Sequence, residues 1–312
     1  MKIFMTGASG YIGGSVADSL VKAGHSVAGL ARTEDSAAKL RAHGMSSVRG
    51  DLGSHSIVRN AAREADAVIN SANAEDPFVV AAILEGLAGS GKPFLHTSGT
   101  SVVGDKIVGK LSPKVYHEDT PLEPLPEKIQ RVAVHRSVLA AAAQGIRSVV
   151  LCPSLIYGEG RGANADSIQV PTLIRQAIKS GVPRYVGAGE NAWSTVHIED
   201  VADAYLLALE VARPGSFFFI ENGETNFKSI VSSIARLLGG KRAPESWSID
   251  EAIAEWGPMA VWFSLGGNSR VNADKARRML GWKPHGAGLE HEIEQGWYRR
   301  QLEAGAYGAP GA

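Results

Sequence analysis

Residues 5–15 read MTGASGYIGGS, with Gly7, Gly10 and Gly13 spaced three apart. An apolar run, KIFMT, precedes this loop, and a helical pattern over Gly13 to Ala23 follows it. Each glycine has a physical use. Gly7 permits the tight turn, Gly10 lets the backbone approach a pyrophosphate, and Gly13 lets the helix pack on the strand. The helix N-terminus then offers unpaired N–H groups and a partial positive charge to phosphate oxygens. Ser9, Tyr11 and Ile12 share the loop. A strand, a glycine turn and a helix in this order predict dinucleotide binding.

The ends of the following strands supply the rest of a cofactor site, because ligands of such sheets lie beyond the carboxyl ends of the strands. The second run ends in GLARTED. A carboxylate here would hold the ribose 2′-hydroxyl of NAD, whereas Arg32 offers a planar fork to a 2′-phosphate, with Thr33 and Ser36 nearby. NADP(H) is therefore favoured over NAD(H). In RGDLGS, Asp51 is placed to accept from the adenine amino group and Leu52 to pack on the ring. Ser71, Ala72 and Asn73 end the fourth strand, and Thr97 and Pro153 end the fifth and sixth.

The elements that position these residues alternate. Short apolar runs, KIFMT, SVAGLA, SSVRG, AVINS, PFLHTS and SVVLCP, are separated by amphipathic helical patterns such as Val79 to Ser90. Such alternation predicts a Rossmann-type, doubly wound α/β fold with a parallel sheet. The texture changes after Pro153. A glycine-rich loop, YGEGRGANADS, leads to helical patterns over Val170 to Ser180 and Ile198 to Val211, then to a late strand, SFFFIE. The expected organisation is a nucleotide-binding domain over 1–153, joined by the late strand near 216–221. A smaller, interleaved substrate lobe is expected over 154–305, and a flexible tail over 306–312. Lysine plus arginine equals aspartate plus glutamate at 32 each. Bulk charge therefore recruits neither nucleic acid nor an anionic membrane. No apolar run is long enough to span a bilayer. The single cysteine forms no intrachain disulfide and suits a reducing, cytoplasmic setting. The scattered histidines show no zinc spacing, so no metal is expected.

The chain resembles the extended short-chain dehydrogenases/reductases of the NAD(P)-dependent epimerase/dehydratase type. The resemblance rests on TGASGYIG, GDL, HTSGTSVVG, LCPSLIYGEG, AWSTVHIEDVADAYLLALE and SRVNADKARRMLGWKP. It implies a nicotinamide at a cleft between two lobes, and a homodimer formed through a helix pair that includes the helix near Glu127. It also implies a Ser or Thr after the fifth strand and a Tyr-x-x-x-Lys pair on the next long helix. Here the serine position falls on or beside Gly99, leaving the hydroxyls of Ser98, Thr100 and Ser101. Counting back from AAAAQGIRSVVL puts Arg131 at the lysine position and Glu127 at the tyrosine position. The chain is thus similar to an atypical branch in which that pair is replaced.

Residues four apart on a helix can meet. Arg131 is expected to hold ribose hydroxyls and to supply positive charge. Its pKa, above about 12, excludes proton transfer. Glu127 reads as a surface residue of the first turn. Ser98, Thr100, Arg131 and Tyr157 are the candidate catalytic residues, and Tyr116 is a loop residue able to swing in. His135 reads as structural, His197 as a brace for the following helix, and Cys152 as buried and inert. Three functions follow: NADPH-dependent reduction of a carbonyl on a small organic molecule, a sugar-nucleotide epimerase or dehydratase, and an NADP-binding sensor without turnover. Arg32 and the missing tyrosine weigh against the second.

Overall fold

Runs of β-branched and apolar residues become inner strands that are buried on both faces, as a parallel sheet requires, while the edge strand Ser46–Arg49 is only partly covered. The computed structural model describes residues 1–308; residues 309–312, the end of the expected tail, lie outside the described residues. The strands are β1 (Lys2–Thr6), β2 (Ser26–Ala31), β3 (Ser46–Arg49), β4 (Ala67–Asn70), β5 (Pro93–Thr97), β6 (Arg147–Pro153), β7 (Leu155–Tyr157), β8 (Arg184–Val186), β9 (Ala192–His197), β10 (Ser216–Ile220), β11 (Glu224–Asn226) and β12 (Glu245–Trp247). Seven of them form a parallel sheet in the order β10-β6-β5-β4-β1-β2-β3. The late strand β10 closes the sheet beside β6, with Phe218 opposite Leu151.

The main helices are α1 (Tyr11–Lys22), α2 (Glu34–Ala42), α3 (His55–Glu64), α4 (Pro77–Leu87), α5 (Ile129–Ala140), α6 (Gln169–Ser180), α7 (Ile198–Val211), α8 (Phe227–Leu237) and α9 (Ile249–Trp256). On one face of the sheet, Leu20 of α1, Leu40 of α2 and Tyr205 of α7 pack into a common core. On the other, Val58 of α3, Ile83 of α4 and Val138 of α5 form a second core. The fold is a doubly wound Rossmann-type sheet.

Two helix boundaries differ from the sequence reading, and local chemistry explains both. The helix α4 begins earlier because Asp76 caps it, accepting from Phe78 N and Val79 N at 3.0 and 3.2 Å, with Pro77 at its first position. The helix α5 begins later, because Pro126–Lys128 is a separate 3₁₀ turn.

The remaining strands build small sheets, β11-β9-β7 and β12-β8. They pack with α6 and α8 around Ile174, Phe227, Ile230 and Tyr298. Tyr307, expected in a loose tail, is buried in this core with Arg175 over its ring. An aromatic side chain with apolar surface to cover anchors the chain here.

Candidate active site

The glycine loop lies where the strand order reverses, between β1 and its neighbours β4 and β2, the usual ligand crevice of such sheets. Gly7 has φ +72°, and a Cβ there would stand 2.6 Å from the carbonyl carbon of Ser71. A Cβ on Gly13 would stand 2.2 Å from Gly7 O. The turn and the helix thus touch backbone to backbone. No side chain caps α1 at Gly10, and its first turn carries no acidic residue. Its N–H groups and positive end stay open toward the crevice, as an anion needs.

The segment that follows β7 crosses the start of α1. Tyr11 Oη donates to Gly158 O at 2.8 Å, and Arg161 N donates to Ser15 Oγ at 3.1 Å. Gly162 lies so close that a Cβ would stand 2.5 Å from Gly14 Cα.

At the strand ends, Ser71 Oγ and Thr97 Oγ1 share a hydrogen bond of 2.8 Å, and Tyr205 Oη donates to Thr97 Oγ1 at 2.6 Å. Arg32 is exposed and forms no ion pair among the described residues. Glu34, the nearest carboxylate in sequence, turns instead to Arg41. Thr33 caps α2 by accepting from Ser36 N at 3.1 Å. Asp51 accepts from Ser54 Oγ at 2.8 Å, which holds its carboxyl below the ordinary range. Leu52 packs against the sheet, Ala72 is exposed, and Asn73 Oδ1 accepts from Glu75 N. An uncapped helix start, a glycine cradle and a free guanidinium fit a dinucleotide phosphate.

A cavity of about 440 Å³ opens beside this crevice. Tyr11, Ile12, Pro153 and the stretch Ser98–Ser101 line it, together with Ile168, Trp193, Met259 and Phe263. Phe263 sits on a π-helical turn, Val261–Leu265. One buried amide joins the long connection after β5 to this wall. Asn268 Oδ1 accepts from Ser112 N and Ala192 N, while its Nδ2 donates to Lys110 O and Ile107 O. Ser98 Oγ and Thr100 Oγ1 are buried without a hydrogen-bond partner, and both residues border the cavity.

Several expected roles move. Glu127 and Arg131 do not meet, because Glu127 precedes the helix. Glu127 pairs with Lys106 at 2.5 Å. Arg131 donates to Ser101 Oγ at 2.9 Å and pairs with Glu75 at 2.6 Å. It stands behind the cavity lining, bracing the loops after β4 and β5. A Cβ on Gly99 would lie 3.6 Å from its Nη1, so the guanidinium borders the place where the resemblance implies a serine. Tyr157 does not line the cavity either. Its Oη donates to Ala287 O at 2.9 Å and its ring packs on His197. Tyr116 pairs through its backbone with Arg270 and Asn272, its ring under Lys114. His197 caps α7 by accepting from Glu199 N. His135 packs between His96 and Phe217 in the core. Cys152 is wholly buried, which pushes its thiol up to about 12.

Several lining residues escaped the sequence reading, Lys128 chief among them. Lys128 is the only charged residue among those lining the cavity. The signal available was its position, one residue before α5, in a turn that proline starts.

The chain belongs to the NAD dependent epimerase/dehydratase family, whose model matches residues 3–218. It is similar to a Saccharomyces cerevisiae protein described as uncharacterized protein YLL056C, with 33% identity over 94% of this chain and 98% of the relative. It is also 28% identical to a 2-alkyl-3-oxoalkanoate reductase of Stenotrophomonas maltophilia, over 81% of this chain and 80% of that protein. Among solved structures, the dTDP-glucose 4,6-dehydratase of Bacillus anthracis in complex with NAD superposes with a TM-score of 0.76. That match covers 97% of this chain and 98% of the other at 20% identity, and it shows the shared fold. No helix among the described residues is long and apolar enough to cross a membrane.

Proposed function

We propose that this protein is an NADPH-dependent oxidoreductase that reduces a carbonyl group on a small, largely apolar organic substrate. The observation that carries this reading is the make-up of the cavity. Ile168, Trp193, Met259 and Phe263 are among its lining residues, and Lys128 is its one charged lining residue. Ile168 is 77% exposed and Met259 46% exposed, so the cavity meets solvent through an apolar rim. Such a surface suits an alkyl or aromatic body. A nucleoside diphosphate would call for more than one cation around its two phosphates, and this weighs against a sugar-nucleotide epimerase. The likeness to a reductase of 2-alkyl-3-oxoalkanoates supports the same direction.

In this reading the bound cofactor supplies hydride. The protein's own residues do the rest. The open start of α1 holds the pyrophosphate, and Arg32 meets the 2′-phosphate. Ser98 and Thr100 direct hydroxyls at the substrate oxygen, and Trp193 with Phe263 keeps water from the reacting carbon. Orientation and fixed dipoles provide the rate acceleration. The test is loss of reduced-nicotinamide absorbance with purified protein, NADPH and a panel of ketones and aldehydes of increasing alkyl length. Consumption that needs both protein and carbonyl, rising with chain length, is expected. NADPH that binds and is never consumed would replace this reading with the sensor.

A further inference from the structure

Lys128 is a buried cation without a counter-ion. Only 6% of the residue is exposed. Its Nζ lies 4.6 Å from the centre of the Phe263 ring, and among the described residues it makes no hydrogen bond and no ion pair. The nearest carboxylates are engaged elsewhere, Glu127 with Lys106 and Glu75 with Arg131. The ammonium lies in the lining of the cavity with no partner to hold it, and an unpaired cation in a ligand cavity points to a role toward what enters. Burial, with Arg131 nearby, makes Lys128 release its proton more readily than an ordinary lysine. Among the tyrosine and arginine candidates none is available: Tyr11 and Tyr157 each donate to a backbone carbonyl, and an arginine does not give up its proton.

We propose that Lys128 is the proton donor in carbonyl reduction, and thus a catalytic residue at the place where the helix carries no tyrosine. The proposal rests on the reductase reading above. As hydride from the reduced nicotinamide adds to the carbonyl carbon, the π pair of the C=O bond moves onto oxygen. One N–H bond of the Lys128 ammonium then breaks, its electrons stay on nitrogen, and the proton bonds to that oxygen. The neutral amine regains a proton from solvent. Ser98 and Thr100, which border the same cavity, hold the oxygen in line.

Two substitutions separate proton donation from charge. In Lys128→Met, kcat is expected to fall about 100- to 10,000-fold, the range of general acid catalysis, with NADPH affinity within about twofold of wild type. Lys128→Arg keeps the charge and cannot give up the proton, so it is expected to fall at least about 100-fold as well. A second readout needs neither cofactor nor turnover. Acylation of each lysine is followed across pH by mass spectrometry, with the exposed Lys39 and Lys110 as internal references. The profile of Lys128 should rise at lower pH than both. Turnover by Lys128→Arg at the wild-type rate, undiminished turnover by Lys128→Met, or an acylation profile matching the exposed lysines would each overturn the proposal. Wild-type protein that never consumes NADPH would overturn the reductase reading and this proposal together. Lys128→Arg and the acylation profile decide the matter even if Lys128→Met fails to fold.

Discussion

Replacing Arg32 by aspartate should turn cofactor preference over, and the size of the effect follows from what surrounds that side chain. Arg32 is exposed and unpaired while Glu34 is held by Arg41, so no neighbouring carboxylate already cancels its charge. A hydrogen bond to a charged group contributes about 1.5–3 kcal/mol, and an exposed site sits at the low end. The substituted aspartate also repels the 2′-phosphate. Two unit charges 4 Å apart in water cost about 1 kcal/mol, the phosphate carries nearly two charges, and physiological salt trims the sum. The total of about 3 kcal/mol corresponds to roughly 100-fold weaker NADPH binding. NADH binding should hold or improve, because a carboxylate accepts from the 2′-hydroxyl. Both constants can be read by quenching of tryptophan fluorescence at two salt concentrations, and the NADPH penalty should shrink at high salt. A ratio of the two affinities within about threefold of wild type would refute the assignment of Arg32 as the phosphate reader.

Tyr157→Phe should leave turnover unchanged and lower stability by about 1 kcal/mol, the value of the lost bond to Ala287 O; urea midpoints and kcat together check this. Gly162→Ala should cost about 1–3 kcal/mol of stability, because its Cβ meets backbone rather than a side chain able to move, and thermal unfolding reads the loss. Burial lowers the imidazole pKa of His96 to about 4 and that of His135 to about 3. The unfolded chain therefore takes up protons first as pH falls below 6.5, and stability declines from there until the folded rings titrate. His135→Leu should flatten this acid slope in urea unfolding, and an unchanged slope would show that the ring does not contribute.

The nucleotide half of the site was legible because its residues are local in sequence. Gly7, Gly10 and Gly13 act within one turn, and Arg32 and Asp51 each follow a strand whose pattern is clear. The reacting half was not legible, because its geometry is set by contacts far apart along the chain. Arg131 is drawn to Glu75 in the loop after β4, and Glu127 to Lys106 in the long connection. A count along a presumed continuous helix could not foresee the 3₁₀ turn that Pro126 starts. Nothing local in sequence marks Lys128, because the ring beside its ammonium, Phe263, comes more than a hundred residues later. Tyr157 stands beside the cleft in sequence yet points away, since the partner that captures its hydroxyl, Ala287 O, comes from far along the chain.

The strand β10 has a consequence for synthesis. By the time Pro153 is made, six of the seven sheet strands exist, and β6 is an apolar strand with an open edge. Its partner, Ser216–Ile220, lies roughly sixty residues further on. At a synthesis rate of about 5–20 residues per second, that edge waits on the order of 3–12 s before it can be covered. An unpaired edge is a template for other chains. The nascent protein therefore passes through an interval of exposure that chaperones must bridge, and a chain stopped after Pro153 would carry that edge permanently and aggregate through it.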